Sequence, residues 1–441
     1  MVALKIMRFI PNKKYVINIS FFIVGASLTM LSIFFLQGNY LARIDAYLIR
    51  NNIFAPTVPP TVIIKSNYYD LKMTPYVVDV NGLRSSSRYG GIDSLDGNLV
   101  FIDGDGIFYK LTNEKFDQVI KLNLKNSKED FVKDYKDNFL GVYFGVKDVL
   151  LIKNENDKNV KVFISSVDYD SARQCYFLSV FSNELISPNL TFLNREWMKI
   201  FSTRPCLLKH KKGNFLGQSS GGRLVVDAGK KNIFLSTGDF YYDGVNEKNI
   251  LQNDFSDYGK VIKIPLTPNA KPVAVAEGFR NPQGLFYTNQ GLYVSEHGPQ
   301  GGDNVNFVDL TSHSEMVQNF GWPFATFGVD YGTKEWPLDK LNDNKGKYKL
   351  PVFSWTPSIG VSNLIMVKSA TELVRWNEAL LVSSLKDKSM YLIKLENNRV
   401  YTMEKIDIGI RVRDIMQIKN DFYLLEDADN PIVWKLSLLI Q

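Results

Sequence analysis

The sequence predicts an all-β fold, a six-bladed β-propeller preceded by one N-terminal transmembrane helix. Three observations carry this. Self-similar hairpins recur along the chain, no long amphipathic helix interrupts them, and one uncharged apolar stretch, Tyr15 to Leu36, lies near the start.

The N-terminal stretch comes first. At 1.5 Å per residue, Tyr15 to Leu36 spans about 33 Å as a helix, one hydrocarbon core. Lys5, Arg8, Lys13 and Lys14 precede it, and Arg43, Asp45 and Arg50 follow. The positive flank stays cytoplasmic, so the remainder is expected on the periplasmic or extracellular side of a lipid membrane, as a single-pass anchored protein. A cleaved signal peptide is the rival reading, but the stretch is long for one and no clear small-x-small site follows it. Residues 1–14 then read as a basic tail, 15–36 as the anchor and 37–65 as a linker. That linker carries the stiff run Ala55-Pro-Thr-Val-Pro-Pro60, and 66–441 is the propeller.

The hairpins come next. An apolar strand, a polar or glycine turn and a second apolar strand with a small or acidic end appear at Gly91 to Asp103. The same pattern returns at Leu224 to Ser236, Leu285 to Glu296 and Ile415 to Glu426. A short helix fits Glu129 to Asn138. Blades of about 45–60 residues give six across residues 70–441. A propeller gathers distant loops at one end of its channel, which is where a site is expected.

Composition excludes some classes. The 441 residues are 45 % hydrophobic and 22 % charged, an ordinary globular mix. The net charge of +6 is spread along the chain, with no lysine/arginine block among aromatics, so nucleic acid is not an expected partner. The two cysteines, Cys175 and Cys206, form no CxxC. In an oxidising compartment they make one disulfide worth about 3 kcal/mol; the other reading is two buried thiols.

Four segments exceed plain strand and turn: Gly278-Phe-Arg-Asn-Pro-Gln-Gly284, Glu296-His-Gly-Pro-Gln-Gly-Gly-Asp303, Asn319-Phe-Gly-Trp-Pro323 and Trp355-Thr-Pro-Ser-Ile-Gly360. With Ser384-Leu-Lys386 and Arg411-Val-Arg-Asp414 they resemble, in order from about Gly221 to Lys435, the glucose/sorbosone dehydrogenase family. The resemblance implies a soluble aldose dehydrogenase using pyrroloquinoline quinone (PQQ) on a six-bladed propeller. It implies that Arg280, Lys386, Arg411 and Arg413 face the three carboxylates of PQQ, with Asn281, Gln283 and His297 beside them. It implies calcium at the carbonyls of Gly298 and Pro299, with Asp303 a further ligand or a turn cap. Asn304 stands where the family usually has glutamate, which lowers the calcium affinity expected here. Each cation also has a purely structural reading as a rim ion pair.

The departure lies at Gln218-Ser-Ser-Gly-Gly-Arg223. The family carries a histidine, the general base, four or five residues before the arginine matching Arg223. Ser219 and Gln218 stand there instead, and neither takes a proton near neutral pH. Of the three histidines, His210 precedes this segment and His313 lies in a polar loop. The expected function is a PQQ-dependent sugar dehydrogenase-like oxidoreductase with Gln218, Ser219 and Arg223 at the catalytic positions. Two other readings are a non-catalytic propeller binding a carbohydrate or a protein, and a lactonase-type hydrolase with a carboxylate ring in the funnel.

Overall fold

The computed structural model describes residues 58–78, 88–112, 114–121, 127–135, 144–154, 157–187, 190–194, 196–208, 217–312, 316–329, 347–368 and 372–439. The expected anchor Tyr15 to Leu36, the basic tail, most of the linker, His210 and His313 lie outside them. Among the described residues no helix is long and apolar enough to cross a membrane.

Six sheets follow one another in chain order and form the blades, antiparallel except where Gln318–Asn319 adds in parallel to the third. Blade I comprises Gly91–Leu95, Asn98–Ile102, Ile107–Thr112 and Lys115–Lys121. Blade II has Gly145–Lys153, Asn159–Asp170 and Cys175–Ile186, with short strands on the last. Blade III has Gly221–Val226, Asn232–Thr237, Lys260–Pro265 and Val273–Glu277, and blade IV has Asn281–Tyr287, Gly291–His297, Asp303–Asp309 and Phe353–Trp355. Blade V has Val361–Met366, Leu380–Ser384, Ser389–Glu396 and Arg399–Asp407. Blade VI takes Val412–Ile418, Asp421–Glu426 and Ile432–Leu438 from the C-terminal end of the chain.

Blade VI is completed by Asp70–Val77, which pairs antiparallel with Ile432–Leu438 and so closes the ring. Val62–Lys65 then adds an edge strand, with Val62 opposite Met73. The propeller therefore begins inside the stretch assigned to the linker, because those four residues find backbone partners. The hairpin turns follow local chemistry. Asp96 and Gly97 both have positive φ, 51° and 77°, as a two-residue turn matched to strand twist requires. The short helix is Ser127–Tyr135. Cys175 and Cys206 are joined, their Cα atoms 5.6 Å apart, tying the start of the third strand of blade II to the segment that pairs back on it.

The first strand of each blade lines the channel, and all six run the same way along it. Apolar clusters fill the spaces between blades, such as that of Phe234, Val261, Phe279, Leu285 and Val294 between blades III and IV. A polar side chain also stitches each seam. Asp93 accepts from Leu151 N (2.6 Å), Asp148 from Leu224 N (2.7 Å), and Ser236 Oγ donates to the Pro282 carbonyl (3.2 Å). Asp303 accepts from Gly360 N and Val361 N, Asn363 donates to Asp414 (2.6 Å), and Asp414 accepts from Ile92 N (2.9 Å). The six stitches run I to II through VI to I. Five of them satisfy backbone groups, and the Asn363–Asp414 stitch joins two side chains.

Candidate functional site

The site is the end of the channel at which the inner strands begin. There the residues before each first strand meet the residues after each second strand, and a cavity of about 130 Å³ opens to solvent.

Blade III contributes the Gln218–Arg223 turn. Ser219 is buried, has φ of 57°, and donates its hydroxyl to Asp239 Oδ1 (2.6 Å). Asp239 Oδ2 accepts from Trp322 Nε1 (3.0 Å). Burial pushes the Asp239 carboxyl up to about 6 against the opposing pull of Arg280. Gln218 lines the cavity, and its Oε1 accepts no hydrogen bond.

Arg223, expected at the reacting centre, is instead a plug across the channel. Its Nη1 lies 2.9 Å from Asp148 of blade II and 2.8 Å from Asp414 of blade VI, with all three side chains sealed from solvent. Its Nε donates to the Gln283 carbonyl. Beyond the plug lies a second cavity of about 490 Å³, mostly apolar-walled.

Four expected cofactor residues do converge. Asn281, Gln283, His297 and Arg413 all line the cavity. Arg413 Nη1 donates to Gln283 Oε1 (3.0 Å), and Gln283 Nε2 donates to Asn281 Oδ1 (2.8 Å). Burial, with Arg280 and Arg413 adding to it, lowers His297 to about 4 against the attraction of Asp303, so the ring is neutral near pH 7.

The other cations are placed differently. Arg280 donates to the Gly298 carbonyl (3.0 Å) and faces the Trp322 ring at 5.6 Å, in a small side cavity that Pro299 also lines. Lys386 is exposed and does not line the cavity; its neighbour Leu385 does. Arg411 is half-exposed, pairing with Asp427 (2.8 Å) and donating to the Leu385 carbonyl.

In the loop expected to hold a metal, the Gly298 carbonyl accepts from Arg280. Asp303 spends Oδ1 on Gly298 N (3.2 Å) and Oδ2 on Gly360 N and Val361 N, so it caps and staples rather than presenting free oxygens. Among the described residues no group of three His, Cys, Asp or Glu is arranged to hold a metal. The carboxylates Asp93, Asp148 and Asp414 are engaged by backbone amides, and Arg223 pairs the last two, so these three form no open ring of the kind a lactonase would need.

Four residues of the site carried no signal in sequence. Asp427, after the second strand of blade VI, binds Arg88, Arg411 and Arg413 at 2.5, 2.8 and 2.7 Å. Burial alone would raise it, but Arg413 and Arg88 outweigh that and hold it far below the usual carboxylate range. Lys147 of blade II places Nζ 4.4 Å from the Tyr89 ring centroid, while Arg413 and Arg88 approach the same ring at 5.0 and 5.6 Å. The mouth thus concentrates cations around one aromatic ring and one aspartate.

Comparison with known proteins agrees with this architecture. The glucose/sorbosone dehydrogenase family model matches residues 110–435. The chain is 30% identical over 238 residues to the aldose sugar dehydrogenase YliI of Escherichia coli (strain K12), covering 50% of this chain and 60% of that protein. It therefore spans under two thirds of that relative's length in the aligned part. The crystal structure of the soluble aldose sugar dehydrogenase from Escherichia coli in the apo form superposes with a TM-score of 0.63 at 20% identity, over 84% of this chain and 100% of that one. The PQQ-bound aldose sugar dehydrogenase of Streptomyces coelicolor gives 0.57 at 14% identity, over 87% and 100%. The family match extends the resemblance upstream from Gly221 into blade I, and the chain belongs to the glucose/sorbosone dehydrogenase family.

Proposed function

We propose that this protein is a PQQ-dependent oxidoreductase acting on aldoses, anchored by Tyr15 to Leu36 with the propeller on the outer side of the membrane. The observation that carries the reading is the charge at the mouth. Three arginines share one aspartate there, beside the Lys147 amine.

PQQ is a planar tricarboxylate, and the donor set suits it. Arg413, Lys147, Asn281 and Gln283 line the cavity, and arginine forks bind carboxylates in pairs. When bound, PQQ supplies an acceptor for the hydride leaving a sugar's anomeric carbon. The chain's own residues hold the anions, keep Gln218 at the wall, and fix the Ser219 turn through Asp239. In the loop expected to hold calcium, the Gly298 carbonyl accepts a hydrogen bond from Arg280. The Ser219 hydroxyl, committed to Asp239, favours the second reading: a propeller that binds a carbohydrate without oxidising it.

Titration with PQQ, followed by its absorbance, tests the first reading. Micromolar binding is expected, weakened about 10–100-fold in Arg413→Met, the worth of one charged hydrogen-bonded pair. Dye reduction with aldoses follows. Absence of binding at about 100 μM PQQ, a ΔG near −5 kcal/mol, would overturn it.

A further inference from the structure

We propose that Lys147 is the general base of the site, taking the proton that the missing histidine would take. This rests on the PQQ-dependent reading above.

The Gln218–Arg223 turn contains no base, and its one hydroxyl near the expected position points at Asp239. Lys147 reaches the same cavity from the neighbouring blade. Its stem runs over Gly222, where φ is 113° and an added Cβ would meet Lys147 Cβ at 2.6 Å and Cγ at 2.9 Å. Any larger residue at 222 would displace it. The amine then sits against the face of Tyr89, in the cavity lined by Gln218, Ser219 and Gln283.

The surrounding charges favour the neutral amine. Arg413 and Asp427 face it from blade VI, Lys128 from the short helix, and Arg88 from the segment entering blade I; His297 and Arg223 line the same cavity. The one carboxylate among these that attracts it, Asp427, is already shared by three arginines. Burial first, then Arg413 and Lys128, lower the Lys147 ammonium to about 7. A base is most effective with a pKa near the working pH. His297, lowered to about 4, is a far weaker one.

The step balances. The anomeric O–H bond breaks and its proton passes to Lys147 Nζ. The electrons of that bond form the carbonyl of the lactone, and the C1–H pair leaves as hydride to the quinone. The ammonium then returns its proton to water.

Three measurements test this. The first is NMR titration of the ¹³C-methylated lysines of the wild-type protein, with Lys147 assigned by its absence from Lys147→Arg. A midpoint near 7 is expected, and a midpoint near the ordinary ~10.4 overturns the proposal whether or not PQQ binds. The second is turnover against pH. In the wild type it should rise through about pH 7 as the amine deprotonates. At PQQ concentrations that saturate it in the absorbance titration, Lys147→Met should lose about 10²–10⁴-fold in kcat and lose that limb. The third is Ser219→Ala, which should keep the limb. If Lys147→Met turns over like wild type and Ser219→Ala does not, the base is Asp239 acting through Ser219, and the proposal falls. If PQQ does not bind the wild type, the functional reading fails, and the NMR midpoint still decides the state of Lys147.

Discussion

Two arginine–carboxylate clusters lie along one channel with inverted stoichiometry. In the plug, one arginine, Arg223, stands between two aspartates, Asp148 and Asp414, and the side chains are 8, 2 and 1 % exposed. At the mouth, one aspartate, Asp427, gathers three arginines that fan outward, with Arg411 40 % exposed and Asp427 itself at 0 %. The formal balance is one excess negative charge in the plug (two minus one) and two excess positive charges at the mouth (three minus one). The consequences run in opposite directions. Burial raises the Asp148 carboxyl to about 8 against the pull of Arg223, with Asp414 adding to the rise, whereas the arginines hold Asp427 far down. The same chemical pair thus makes a sealed structural joint in one place and an anion-attracting surface in the other. Number and exposure decide which.

The comparison predicts its largest effect at the plug. Arg223→Met leaves two buried carboxylates without their cation and should cost about 3–5 kcal/mol in denaturant unfolding. A loss below about 1 kcal/mol would mean that the carboxylates simply protonate and that the plug holds nothing. Asp427→Asn should cost less, about 2–3 kcal/mol, since Arg88 and Arg411 can turn to water while only Arg413 is nearly enclosed. If the two losses come out equal, exposure is not what separates the clusters.

The two clusters were unequally legible in sequence, as was the fold around them. The four hairpins read from sequence are the first two strands of blades I, III, IV and VI. Blade V shows no such hairpin because Val361–Met366 and Leu380–Ser384 are separated by a long connection rather than a turn. In blade II the strands run longer, and Asn159–Asp170 is buried along nearly its whole length instead of alternating. At the site, Asn281, Gln283, His297 and Arg413 were found because they sit in distinctive motifs. Tyr89, Lys147 and Asp427 sit in ordinary strand ends and reach the cavity only through ring closure, which local pattern does not contain. Residue type identified Arg280, Lys386 and Arg223 as cations but not their partners. A carbonyl, solvent and two aspartates claim them. Asp239 follows the second strand of blade III and meets Ser219, which precedes the first, across the base of that hairpin, a contact local pattern does not contain.

The smallest predicted effect separates the clusters by pH. A carboxyl whose folded pKa lies above its unfolded value keeps its proton longer in the native state. Between about pH 4 and 8 native Asp148 therefore binds more protons than unfolded Asp148, and stability falls as pH rises through that window. Asp427 has the opposite sign: its contribution is complete above the unfolded pKa near 4 and is lost as pH falls below it. Asp148→Asn keeps an oxygen for Leu224 N and leaves Arg223 with Asp414. It should flatten the decline between pH 5 and 8 without altering the acid limb. Asp427→Asn should flatten the acid limb and leave the decline. Denaturation at about pH 3, 4, 6 and 8 reads both. If Asp148→Asn keeps the wild-type slope, the plug carries its two negative charges throughout, and the contrast between the clusters rests on geometry alone.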